Sequence, residues 1–156
     1  MNSVLNNPAS YITIGENIHT TRSLLRKGKR IDTVDDVDVI LYTAVDGSAQ
    51  TLLIPDDVKA TQDYDEGRVK HVKVALSAAM FGSAEAAENG LAYIHAMAHH
   101  QEQTGATFLD INVDEFSLKT EEQKAAMTWL VGAVQNMSPL PISVDSSDVD
   151  VIRAGL

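Results

Sequence analysis

The chain has no cysteine, which excludes disulfides, thiolate metal sites and cysteine nucleophiles, and fits a reducing cytoplasm. Positive charge is scarce: 12 Lys and Arg stand against 22 Asp and Glu, for a net charge of -10. Sequence-independent nucleic-acid binding neutralises phosphates with Lys and Arg, so DNA and RNA are not expected partners. No apolar run approaches the roughly 20 residues of a membrane helix. The opening stretch MNSVLNNPASYITIG lacks a basic segment followed by an apolar one, so no secretory signal is expected. Also missing are a glycine-rich phosphate loop, a G-x-S-x-G elbow, an HExxH motif, internal repeats and low-complexity tracts.

What is present, 156 residues with 44% hydrophobic and 22% charged, has the profile of one soluble globular domain. SYITIG (Ser10 to Gly15) reads as a short buried strand. Val37–Tyr42 and Thr51–Ile54 read as hairpin arms around the turn dipeptide Asp46-Gly47, with Pro55 ending the second. A helical pattern runs from about Val72 to Gln103, with Ala87, Leu91, Ile94 and Ala98 as its stripe; Gly82 and Gly90 weaken it and Gly105 closes it. ATFLDIN (Ala106 to Asn112) is a strand. Thr120 with Gln123 forms a capping box for a helix whose stripe is Met127, Leu130, Val131, Val134 and Met137. After Pro139 and Pro141, PISVD gives another strand, and Ser147 with Asp150 resembles the cap of a last helix. Short apolar strands alternating with helices indicate an α/β fold with a parallel sheet, either open or closed into a barrel.

Polar residues gather at three strand ends: Glu16, Asn17 and His19; Asp110 and Asn112; Asp145, Ser146 and Ser147. Parallel α/β folds bind ligands where strands end at their carboxyl termini. A carboxylate there can accept two N–H bonds from a flat heterocycle bearing an amino group, and an asparagine adds one donor and one acceptor. The plainer alternatives are that Asp145 caps the following helix, although Ser147 is better placed for that, and that Asp110 is a hydrogen-bonded structural acid. Asp148 and Asp150 read as first-turn acids favoured by the helix dipole.

His95 and His99 have the i, i+4 spacing of metal ligands, with His100 adjacent, but no third ligand has recognisable spacing. A solvated helix face is the expectation, and no metal. Trp129 lies off its helix stripe and reads as a packing residue. The cluster Arg22, Arg26, Lys27, Lys29 and Arg30 follows the first strand, close enough to the strand ends to attract an anionic tail or an acidic partner.

Three stretches, TIGENIH, GATFLDINVD and PISVDSSDVDVIRAGL, together resemble the pterin-binding barrel family, which includes dihydropteroate synthases and the corrinoid methyltransferases that use methyltetrahydrofolate. The last stretch, with MTWLVGAVQNMSPL before it, is most similar to those methyltransferases and to the folate domain of cobalamin-dependent methionine synthase. By this resemblance Asp145 matches the pterin-gripping aspartate, and Asp110 and Asn112 match the pair lining the site, with Ser146 beside them. Glu16, Asn17 and His19 become first-loop contacts. Asn17 stands where the methyltransferases commonly have arginine, and His19 where asparagine is expected.

The resemblance implies an incomplete (β/α)8 barrel, about the first three β/α units. A barrel of about 250 residues allows roughly 31 per unit, and the longer stretch from Gly15 to Asp110 implies a β-hairpin, around residues 30–65, inserted after the first strand. It also implies methyltetrahydrofolate or another pterin as ligand, a corrinoid carried by a partner protein, and little turnover from a truncated chain of this length. The alternatives are a non-catalytic α/β module for binding or self-association and, ranked lower, a dihydropteroate-synthase-like enzyme. An unpaired strand edge and an uncovered apolar face would favour a homodimer or higher oligomer.

Overall fold

The structure, a computed structural model, describes residues 11–156. Ser10 and the N-terminal stretch searched for a secretory signal lie, wholly or in large part, outside the described residues. The elements in chain order are β1 (Ile14–His19), β2 (Leu24–Leu25), β3 (Ile31–Val34), β4 (Val37–Thr43), β5 (Ala49–Leu53), α1 (Asp56–Lys59), α2 (Gln62–Asp65) and β6 (Arg68–Val69). They continue with α3 (His71–Phe81), α4 (Ala84–Gln103), β7 (Phe108–Asn112), α5 (Thr120–Met137), β8 (Ile142–Asp145) and α6 (Val149–Gly155). The fold is mixed α/β, with helices packed on a parallel sheet.

That sheet has the order β1-β7-β8, and both pairings are parallel. Helices intervene between successive strands, because parallel neighbours need long crossovers. One face carries Leu109 and Ile111 of β7, fully buried with Ile18 among Leu76, Ile94, Met127 and Leu130. Alternation along the strand sends Asp110 and Asn112 to the other face. This one parity decides which side of the sheet is core and which can be a site.

The first strand differs from its expected position. SYITIG is not the strand; Tyr11 and Ile12 are exposed, and the strand begins at Ile14 and runs to His19. Glu16, Asn17 and His19 therefore lie on β1 instead of following it. The strand carries a bulge, since Gly15 pairs with Leu109 but Ile18 pairs with Ile111, so that Glu16 and Asn17 together oppose Asp110. Gln101, buried on α4, supplies the acceptor for the Asn17 amide at 3.2 Å. Gly15 leaves room for that side chain: a Cβ there would lie 2.1 Å from Gln101 Oε1, and Gln101 would have to move.

The expected two-armed hairpin is a three-stranded antiparallel meander, β3-β4-β5. Gly47 has φ of 85° and nothing near it, as the Asp46-Gly47 turn requires. The tighter connection from β3 to β4 uses Asp35 and Asp36 at φ of 50° and 64°. Both central residues are left-handed, as a tight hairpin turn demands, and aspartate tolerates that conformation. In the chain the meander lies between β2 and β6, which pair antiparallel with each other. Its inner face, Ile40, Leu52 and Ile54, joins the common core.

The single helix expected from Val72 to Gln103 is two. Gly82 ends α3, and Ser83 caps α4 through a bond from the Ala86 amide to its hydroxyl. Gly90 weakens helix propensity for a packing reason: a Cβ would lie 2.4 Å from the Ala75 carbonyl oxygen of α3. Of the proposed stripe on α4, Leu91 is exposed, and the buried positions are Gly90, Tyr93, Ile94, Ala96, Ala98 and Gln101. On α5, Met127, Leu130, Val131 and Val134 are buried and Met137 is partly so. Trp129 is also half-buried and packs against the core.

Both proposed side-chain caps near the C-terminus are replaced. Gln123 turns its amide to the carbonyls of Asp114 and Ser117, at 2.8 and 2.7 Å, so the capping box at Thr120 does not form. Asp148, not Ser147, caps α6 by accepting the Asp150 amide at 2.8 Å.

A buried polar junction fastens the meander to the helices. Tyr93 of α4 accepts from Arg30 at 2.7 Å and lies 2.8 Å from His71 Nδ1 of α3, with Tyr42 of β4 edge-on to its ring. Burial, then the positive charges of Arg30 and Arg22, holds the His71 imidazole down at about 4. Burial pushes the Tyr93 phenol up to about 12.

Candidate functional site

The carboxyl ends of β1, β7 and β8 bring together four of the residues singled out from the sequence. In register, His19, Asn112 and Asp145 sit side by side across the three strands. Paired residues of parallel strands share a face, so these three and Asp110 project on the side opposite the helices. The bulge in β1 makes this possible for His19. If β1 paired regularly onward from Gly15, Ile18 would oppose Asn112 and His19 would point the other way.

The contacts are direct. His19 Nε2 lies 2.8 Å from Asp110 Oδ2, and both residues are buried. Asn112 donates through Nδ2 to Asp145 Oδ2 at 2.8 Å, and its Oδ1 accepts the Asp114 amide at 2.9 Å. Asn112 thereby uses both ends of its amide to hold Asp145 in place and to start the turn after β7. Asp145 itself is exposed. One ligand-capable atom from each of His19, Asp110 and Asp145 lies within 4.8 Å of the other two.

Asp114, which sequence reasoning passed over, organises the turn after β8. Its carboxylate accepts from Ser146 Oγ at 2.5 Å and from the Ser147 amide at 2.9 Å. Burial alone would push this carboxyl up, but the bonds from Ser146 and Ser147 outweigh it and hold it below the usual carboxylate range. Ser146 in turn accepts the Asp148 amide at 3.1 Å. Ser146 therefore links two loops and leads into α6. The motif N-x-D after the β7 apolar run was the available signal, because each strand end needs acceptors for the amides of the next turn.

The other first-strand residues are occupied elsewhere or point away. Glu16 pairs with Arg22 at 2.9 Å, and Arg22 Nε also donates to the Glu16 carbonyl oxygen at 3.0 Å. Asn17 sits in the bulge, exposed. The basic cluster is likewise engaged within the fold: Arg26 donates to the Tyr64 carbonyl oxygen and stacks over its ring, and Arg30 holds Tyr93. Lys27 and Lys29 are exposed. His95 and His99 are half-buried and His100 is exposed, and the three do not form a metal-ligand group with an acid among the described residues.

Two larger grooves lie away from the strand ends. One of about 730 Å³ runs between α4 and α5, lined by Leu91, His95, Trp129 and Met137. Another of about 550 Å³ lies between β5 and α3, beside Leu53, Val74 and Phe81. Neither includes a residue of the strand-end cluster. The grooves and the cluster of mutually hydrogen-bonded polar groups at the strand ends are therefore in different places.

Among the described residues no helix is long and apolar enough to cross a membrane. No solved structure matches the chain. The family described as pterin binding enzyme matches residues 80–156, a stretch that carries α4, β7, α5, β8 and α6 and leaves β1 and the meander outside it. Residues 80–156, the stretch that carries Asp110, Asn112 and Asp145, are similar to the pterin binding enzyme family.

Proposed function

We propose that the strand-end face binds the pterin ring of a folate-type small molecule, with Asp145 as its anchor. The observation that carries this reading is the alignment of His19, Asn112 and Asp145 across three parallel strands, with Asp110 beneath. Asp145 is exposed and oriented by Asn112, so its carboxylate is available to the amino and ring N–H groups of a pterin. Asp110 and Asn112 line the same face, and Ser146 fixes the loop beside it.

The resemblance of PISVDSSDVDVIRAGL to the methyltetrahydrofolate-using methyltransferases supports a finer reading. Its chemistry is methyl transfer from N5 of methyltetrahydrofolate to a corrinoid carried by a partner protein. The parallel sheet has three strands, against eight in a closed barrel, so we read it as barrel strands with the meander as an insertion. With three strands supplying contacts, the chain alone is expected to bind more readily than to turn over.

A second reading is self-association. β1 and β8 are the edges of the parallel sheet, and Ile14 is half exposed on one of them. Open edges pair readily with another chain.

Titration calorimetry with methyltetrahydrofolate tests the first reading. Wild type should give saturable heat and Asp145→Asn should weaken binding by about tenfold or more, the loss of a charge-assisted bidentate bond. Equal heats from both proteins would remove Asp145 from the anchor role. A monodisperse monomer by light scattering would end the second reading.

A further inference from the structure

We propose that His19, Asp110 and Asp145 form a binding site for a divalent first-row transition metal ion, through one imidazole nitrogen and two carboxylate oxygens. This goes beyond the pterin reading and stands without it. The ligand-capable atoms come from three adjacent strands and lie within 4.8 Å of one another. Two metal–ligand bonds of about 2.1 Å each bridge nearly that span, so small side-chain adjustments complete the geometry. His19 Nε2 and Asp110 Oδ2, at 2.8 Å, already have the separation of neighbouring ligands around one ion.

Charge supports the assignment. Two carboxylates converge on one face, and among the described residues neither forms an ion pair with a lysine or arginine; Arg22, Arg26 and Arg30 are spent on Glu16, Tyr64 and Tyr93. A dication satisfies both acids at once, and an imidazole nitrogen of His19 supplies the third ligand atom.

The surroundings have the form of a metal site's outer shell. Asn112 Nδ2 donates to Asp145 Oδ2, orienting the carboxylate as partners of ligating groups do. His19 and Asp110 are buried while Asp145 is exposed. Two ligands are thus fixed by the fold, and the open side leaves coordination positions for water or a substrate oxygen. One nitrogen and two oxygens suit Zn²⁺, Mn²⁺ or Fe²⁺ better than Ca²⁺ or a soft thiophilic ion. The sequence concealed this set because His19 and Asp110 are 91 residues apart, and the bulge in β1 decides whether the imidazole reaches the face at all.

The experiment is a Co²⁺ and Zn²⁺ titration of the chelator-treated full chain without any pterin, followed by visible absorption and by calorimetry. Wild type should bind one equivalent, with Co²⁺ absorption bands that Zn²⁺ displaces. Asp145→Asn keeps an acceptor for Asn112 and removes the charge at an exposed position; it should weaken binding by more than about tenfold, and His19→Gln at least as much. Circular dichroism establishes that each variant is folded. Absence of saturable binding, or equal binding by wild type and folded Asp145→Asn, would overturn the proposal. Methyltetrahydrofolate binding measured on the metal-free wild-type protein separates the two readings: its presence without metal binding sinks only this proposal, and metal binding without it sinks only the pterin reading.

Discussion

Acidification should weaken this fold well before its carboxylates titrate, through His71. The imidazole is buried between α3, α4 and the meander, beside Tyr93 and near Arg30, and its pKa is lowered to about 4 from an ordinary 6.5. A base with a lowered folded pKa binds its proton in the unfolded chain first, so stability is intact above the unfolded value and is lost as pH falls toward the folded one. The full difference corresponds to about 3 kcal/mol, and about 2 kcal/mol of it is lost between about pH 7.5 and pH 5. Asp38, Asp63 and Asp114 also have lowered pKa values, from an ordinary 3.8, so their losses come mainly at lower pH. Urea unfolding followed by circular dichroism across this range measures the loss directly. The wild-type free energy should fall by about 2 kcal/mol more than that of His71→Gln over the same interval. Parallel pH profiles for the two proteins would refute the assignment of a neutral buried His71.

Two further perturbations test the architecture. Gly90→Ala should gain about 1 kcal/mol of helix propensity yet destabilise overall by about 1–3 kcal/mol, because the added Cβ meets the Ala75 carbonyl oxygen at 2.4 Å and the Ala79 nitrogen at 2.8 Å; a raised melting temperature would contradict the close approach of α3 and α4. Deleting Asn17 removes the extra residue of the β1 bulge and leaves a regular strand, with Glu16 opposite Asp110, Ile18 still opposite Ile111 and His19 still opposite Asn112. The loss should stay within about 1–2 kcal/mol, read as a slightly lower urea midpoint, and a loss of about 3 kcal/mol or more would mean that Ile18 had left the core and that the extra residue does not lie where the register puts it.

The parts of the fold that repeat a period were legible in the sequence. The α5 stripe, the Asp46-Gly47 turn and the strands at ATFLDIN and PISVD follow from alternation, helical spacing and turn chemistry, and their strand ends brought Asp110, Asn112 and Asp145 forward as candidates. What stayed hidden depends on contacts distant in sequence. The β1 bulge is satisfied by Gln101, so nothing local to TIGENIH announces it, and the apolar pattern alone points to a strand that begins too early. Gly82 and Ser83 divide the long helical pattern in two, but their composition alone reads as a weak spot in one helix. The Asp35-Asp36 turn carries no glycine, which hid β3. The local cap patterns at Gln123 and Ser147 do not form because both residues bond to Asp114 in the turn after β7.

The central claim is that a pterin ring sits at the carboxyl ends of β1, β7 and β8. Amide chemical-shift mapping of isotopically labelled protein, titrated with methyltetrahydrofolate, tests it most directly. Saturable shifts should cluster at His19, Asn112, Asp145 and Ser146. Shifts centred instead on Leu91, Trp129 and Met137 in the α4–α5 groove, or no saturable shifts at all, would contradict the account.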